Sequence, residues 1–249
     1  MLTDTANVIA ATILTGVYDV NRSQMIAKDD FSLVTEWYQS MLALGLNGII
    51  FHNCFSIETV KKYQNSNITF IRVAYNSNIS PNAYRYIIYN QFLQQEGAGI
   101  QNIFFTDIAD VVAIKNPFIQ PEFTQHPKML FCGDEDSTLD NEWMNNHSTF
   151  LRQQVAGYGQ YEADYKNEIL LNCGIIGGNA QLMASLVSKL ANLHLTYTIH
   201  NKTPFTLDMG AFNFIVRTQF GDNLLHGMPV NTIFKKYETQ RKDCWFRHK

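Results

Sequence analysis

The chain predicts an α/β fold, a single domain built on a mainly parallel central sheet flanked by helices. Three observations predict it. Apolar runs of strand length alternate with helical patterns through the first half, and that order implies parallel strands joined by helical crossovers. No internal repeat, low-complexity tract or Pro/Gly/Ser linker interrupts the 249 residues, so one large domain is preferred to two. The composition is 46% apolar, 13% aromatic and 16% charged, against about 25% charged in typical soluble domains. Such a chain buries a large core without disulfides or structural metals. It is neither a disordered chain nor, at a net charge of -3, a dedicated nucleic-acid binder.

The elements follow in order. Val8–Leu14 reads as the first strand. Phe31–Leu44 is an amphipathic helix, with Phe31, Val34, Trp37, Tyr38, Met41 and Leu44 at helical spacing, and Gly45 ends it. Asn47–His52 is the second strand. Ser56 caps a short helix, and Ile68–Val73 is the third strand. Pro81 sits at a helix start, and Tyr84 to Gln95 carries that helix's apolar face. Ile103–Phe105 is the fourth strand, and Lys128–Phe131 is another.

No apolar run approaches the roughly 20 residues of a membrane span. The stretch from Val8 to Val17 lacks a basic flank, so it reads as a buried strand rather than a secretory signal. The four cysteines, Cys54, Cys132, Cys173 and Cys244, form no C-x-x-C pair and read as reduced thiols. A cytoplasmic location is the expectation. Asn-x-Ser/Thr triplets, at Asn67 and Asn201 for example, read as chance matches in an Asn-rich chain.

In parallel sheets ligands bind beyond the carboxyl ends of the strands, so the polar residues that follow each apolar run are the functional candidates. The strongest signal is Ile103-Phe-Phe-Thr-Asp107-Ile-Ala-Asp110-Val-Val. Two carboxylates at the mouth of a buried strand are costly unless a positive group joins them. Their oxygens suit Mg²⁺ or Mn²⁺, and a turn capped by Asp110 is the other reading.

Here the sequence resembles the GT-A glycosyltransferases, which use nucleotide-sugar donors. Phe105-Thr-Asp107-Ile-Ala-Asp110-Val111 is similar to their Asp-x-x-Asp-Val motif, and Lys115-Asn-Pro-Phe118 resembles the segment that trails it. Glu168-Ile-Leu-Leu-Asn172-Cys-Gly174-Ile-Ile-Gly-Gly resembles their N-x-G strand and turn. Leu207-Asp208-Met-Gly-Ala-Phe-Asn213 resembles a D-x-x-x-x-N helix start, and Leu225-His226-Gly-Met-Pro resembles their C-terminal histidine. The likeness spans roughly residues 8–236 at motif level. It implies a GT-A-type, Rossmann-like domain over residues 1–249. A nucleotide-binding half runs to about residue 118, and an acceptor-side half covers about 119–249.

The resemblance implies a metal, Mn²⁺ or Mg²⁺, on Asp107, Asp110 and His226. It implies a nucleoside-diphosphate sugar, with UDP as the expected nucleotide, and a carbohydrate or glycoconjugate acceptor. Thr15, Gly16 and Tyr18 would meet the nucleotide, Tyr18 by stacking. Arg85, Asp107, Gly174 and Lys235 would contact the donor. Lys235 or Lys236 stands in for the family's Lys-Pro-Trp, which this chain lacks. Asp208 and Asn172 would lie at the reacting centre, and Asp134, in the Asp134-Glu-Asp136 run, is a candidate base. Met209 stands where some retaining members carry Gln. Trp143, Tyr158 and Tyr161 read equally as acceptor platforms or as core residues. Read alone, Asp208 is a helix N-cap, Arg85 a solvated helix residue and the acidic run a loop. A nucleotidyltransferase is disfavoured because Thr15 to Arg22 carries one Gly and one Arg. A non-catalytic carbohydrate-binding relative is the third alternative.

Overall fold

The computed structural model describes residues 6–19, 23–199 and 207–249; the Asn201 triplet and Arg22 lie outside them. Strand β1 (Asn7–Ile13) opens the chain and is followed by a small hairpin, β2 (Tyr18–Asp19) and β3 (Gln24–Met25). Helix α1 (Thr35–Ala43) is entered through a 3-10 turn at Ser32–Val34, and Gly45, at φ +61°, turns the chain out of it. Next come β4 (Gly48–His52), α2 (Ile57–Tyr63), β5 (Ile68–Arg72) and α3 (Pro81–Glu96). Ser56 caps α2 by accepting from the Thr59 N–H, and Ser80 caps α3 just ahead of Pro81. Strand β6 (Asn102–Thr106) leads into β7 (Val111–Ala113), α4 (Pro121–Gln125) and β8 (Leu130–Thr138).

The second half adds α5 (Glu142–His147), α6 (Thr149–Gln154), α7 (Tyr158–Tyr165), β9 (Ile169–Asn179), α8 (Ala180–Tyr197) and α9 (Asp208–Gln219). It ends with β10 (Leu224–His226) and β11 (Phe246–His248). Gly177 and Gly178 lie among the last residues of β9, and Asn179 caps α8, which begins directly after it at Ala180.

The main sheet has seven strands in the order β10-β8-β9-β6-β1-β4-β5. All pairings are parallel except those of β9 with β6 and β8. The result is a mixed α/β domain with a mostly parallel sheet and flanking helices. The strands from residues below 107 lie together on one side, those from residues above 129 on the other, and the two groups meet at β6–β9.

Burial follows the pleat. On β1, Val8 and Ala10 enter a core roofed by α3, α8 and α9, while Ile9, Ala11 and Ile13 enter a second core under α1. Both faces are covered, which is why the strand is apolar at almost every position. The second core is closed by the β7–β11 pair, with Trp245 and Phe246 against Phe104 and Phe131. Among the described residues no helix is long and apolar enough to cross a membrane.

Candidate functional site

A cleft of about 1010 Å³ opens along the carboxyl edge of the sheet. Strand β6 ends at Thr106, and the chain leaves it at Asp107, whose N–H donates to the Gly174 carbonyl at 2.7 Å. Asp110 follows within one turn. Strand β11 then pairs antiparallel with β7, placing His248 opposite Val111, next to Asp110. Asp107, Asp110 and His248 come together so that one ligand atom from each lies within 4.8 Å of the others.

The His248 ring supplies the test of whether these residues suit a cation. It is 1% exposed, and neither ring nitrogen has a hydrogen-bond partner. Its Nε2 stands 3.9 Å from Asp110 Oδ1. Burial pushes its pKa down to about 4, against a smaller upward pull from Asp107, so the imidazole is neutral with a lone pair to give. A buried, unpartnered imidazole is costly, and two carboxylates with one neutral imidazole make a donor set suited to Mn²⁺ or a similar divalent ion. Gly174 leaves the necessary room: a methyl group there would stand 2.7 Å from both Asp107 Oδ2 and His248 Cε1.

His226 is elsewhere. On β10, paired with β8, its Nδ1 lies 3.0 Å from Asp134 Oδ2. The histidine that stands with Asp107 and Asp110 is therefore His248, in place of the expected His226. Sequence reasoning passed over His248 because its partner, Val111, is 137 residues away; the apolar run Cys244-Trp-Phe246 was the one local hint of a buried strand.

Arg85, on α3, is buried rather than solvated. It pairs with Asp107 and, at 3.2 Å, with Asp208 Oδ2. Burial works against its charge, but Asp107 and its other neighbours outweigh that and raise its pKa. Asp208 is the first residue of α9, not its cap; Leu207 precedes it at φ +61° and makes no side-chain cap. Asn213, one turn on, clamps β9 by exchanging bonds with the Leu171 N–H and carbonyl. Burial raises the pKa of the Cys173 thiol beside Asp208, so it is protonated.

Strand parity separates the acidic run. Glu135 and Ser137 line the cleft. Asp134 faces His226, and Asp136 pairs with Lys236 at 3.0 Å. The carboxylate at the cleft is thus Glu135, in place of Asp134. Asn172 donates to Glu135 at 2.8 Å and accepts from the Gly174 N–H at 2.7 Å. Lys235 lines the cleft, and Lys236 does not.

At the β1 end, Thr12, Ile13, Leu14, Asp19 and Ile26 form the wall. Thr15, Gly16 and Tyr18 are not on it: Thr15 is locked to Asn53 through both backbone groups, and Tyr18 is 53% exposed on β2. Tyr158 and Tyr161 are core, whereas Trp143 is exposed at the cleft. The chain matches no protein-family model and no curated protein sequence.

Proposed function

We propose that the chain is a metal-dependent glycosyltransferase of the GT-A kind, moving a sugar from a nucleoside-diphosphate sugar to an acceptor hydroxyl. The observation that carries this reading is the buried, unpartnered His248 beside Asp107 and Asp110, at the carboxyl edge where α/β sheets take their ligands. The motifs that resemble that family supply the reaction class.

Asp107, Asp110 and His248 would hold a divalent cation, whose charge would offset that of the departing diphosphate. The chain's own groups do the rest. Arg85 fixes Asp107 and Asp208 in one ion-paired unit, so neither carboxylate must reorganise during the reaction. The wall from Thr12 to Leu14, with Asp19 and Ile26, takes the nucleoside. Lys235 brings a positive charge to the cleft, over the Phe234 ring that packs on His248.

Calorimetry with UDP, with and without Mn²⁺, tests the reading. Binding that requires the metal, and that falls at least tenfold in Asp110→Ala, is expected. Metal-independent binding, or none, would remove the reading. A carbohydrate-binding relative without catalysis would instead bind sugars and ignore UDP.

A further inference from the structure

His248 stands on a three-residue strand outside the main sheet, and its ring is held there by local means. One side of β11 is covered by the segment 230–232. The Phe246 N–H donates to the Val230 carbonyl at 3.0 Å, and the Phe246 carbonyl accepts from the Thr232 N–H at 3.1 Å. His248, two residues on, points its backbone groups to the same side. A continued parallel ladder would next join them to the main chain of Thr232 and Phe234. The chain turns away instead: the Ile233 N–H donates to the Glu238 carboxylate at 3.0 Å, and the Ile233 carbonyl accepts from the Lys236 N–H at 3.2 Å.

The Thr232 side chain takes over where that ladder stops. Its hydroxyl accepts from the His248 N–H at 3.0 Å and donates to the His248 carbonyl at 3.3 Å. A hydroxyl is a single group that donates and accepts at once, and here it closes both backbone groups of one residue. Thr232 is 0% exposed, so without it those two groups would be buried and unpaired.

The imidazole has little freedom of its own. The Phe234 ring packs on it with centroids 4.4 Å apart. Gly174 lies against Cε1, where a methyl group would stand 2.7 Å away. With the ring confined in this way, the place of Nε2, 3.9 Å from Asp110 Oδ1, follows the place of the His248 backbone. We infer that Thr232 is a positioning residue of the candidate metal centre: by closing both backbone groups of His248, it sets the imidazole toward Asp107 and Asp110. This role rests on the cation reading above and is independent of the sugar transferred. Groups that hold a metal ligand in place without touching the metal are typically worth about 10–100-fold in metal affinity.

The test uses the full chain, stripped of metal by a chelator and titrated with Mn²⁺ by calorimetry, first alone and then with UDP. Co²⁺ in place of Mn²⁺ gives a visible absorption band whose shape reports the ligands around the ion. Thr232→Val keeps the side-chain shape and removes the hydroxyl. It should weaken Mn²⁺ binding about tenfold or more and alter the Co²⁺ band. Thr232→Ser restores the hydroxyl and should return both to near the parent values. Loss of the hydroxyl also lowers stability, because two buried backbone groups lose their partner. Ser148→Ala is the control for that loss. It removes the buried bond of 2.9 Å between the Ser148 and Tyr158 hydroxyls, outside the cleft, and should leave Mn²⁺ affinity and the Co²⁺ band unchanged. Should Thr232→Val not fold, Thr232→Cys takes its place, with a thiol that donates and accepts weakly; a loss of affinity beyond that of Ser148→Ala is then expected. Parent-like affinity and band in the variant without the hydroxyl would overturn the inference and leave the cation reading standing. So would an equal loss in Ser148→Ala, or a Thr232→Ser variant as weak as Thr232→Val. A parent chain that binds Mn²⁺ but never UDP removes the donor reading alone, and the Thr232 comparison is then read with Mn²⁺ by itself. A parent chain that binds neither Mn²⁺ nor Co²⁺, with or without UDP, removes the cation reading and the role of Thr232 with it.

Discussion

His226 and His248 carry the same side chain in opposite surroundings. His226 is partly exposed, and Asp134 already occupies its Nδ1. His248 is buried with both nitrogens unpartnered, facing Asp110. A metal ligand needs a lone pair aimed at a point it shares with other donors, and among the described residues it is His248 that shares such a point with two carboxylates. The contrast makes a sharp prediction. His248→Ala should weaken Mn²⁺-dependent UDP binding at least tenfold, whereas His226→Ala should leave it within twofold, both read by calorimetry. Equal losses in the two variants would mean that the Asp107–Asp110–His248 cluster is not the metal site. The aspartates were legible from sequence because two carboxylates at a strand mouth need a partner. The histidine was not, because two candidates fit the chemistry and only the β7–β11 pairing distinguishes them.

Strand β9 and helix α9 work as one unit at the back of the cleft. Asn172, Cys173 and Gly174 sit on β9, Asp208 and Met209 begin α9, and Asn213 ties the two together with its 3.0 Å and 2.8 Å bonds to Leu171. Asn213 closes the D-x-x-x-x-N motif of the resemblance, and its amide is spent on the backbone. Asn213→Ala would leave a buried N–H and carbonyl unsatisfied, which costs about 1–3 kcal/mol. Urea denaturation should show that loss while UDP affinity stays near the parent value at saturating folded protein. A large drop in affinity without loss of stability would instead give Asn213 a direct part in the site. The elements β1, α1, β4, α2, β5 and α3 were readable because their apolar spacing and caps are local. The parity of β8 was not, since Asp134-Glu-Asp136 reads as a loop until β9 pairs with it and assigns Glu135 to the cleft.

The whole molecule hides several titratable groups that ordinary sequence patterns leave unremarked, and together they set its response to acid. His52 and His194 are 4% and 0% exposed, and burial holds both near a pKa of about 4 against an ordinary 6.5. Arg72 pushes His52 further down and Arg85 does the same to His194, while Asp29 and Asp208 pull the other way. His194 is stacked parallel to Tyr86 and bonded to Thr198 at 3.2 Å, a place with no room for a hydrated cation. Between about pH 4 and 6.5 the unfolded chain therefore binds more protons than the folded one at these two sites. Stability must then rise with pH across that window and fall as the solution is acidified through it. Each histidine contributes a loss on the order of 2–3 kcal/mol by the bottom of the range. That is a large share of the roughly 5–15 kcal/mol that holds a domain folded. Urea midpoints measured from pH 7.5 to 4.5 should fall continuously below about pH 6.5. His194→Gln should lower stability at neutral pH and reduce the slope in the acid window by up to one proton, about 1.4 kcal/mol per pH unit. An unchanged slope in that variant would mean that His194 accepts a proton in the folded chain, and that its burial between α3 and α8 is looser than the packing of Tyr86 against it implies.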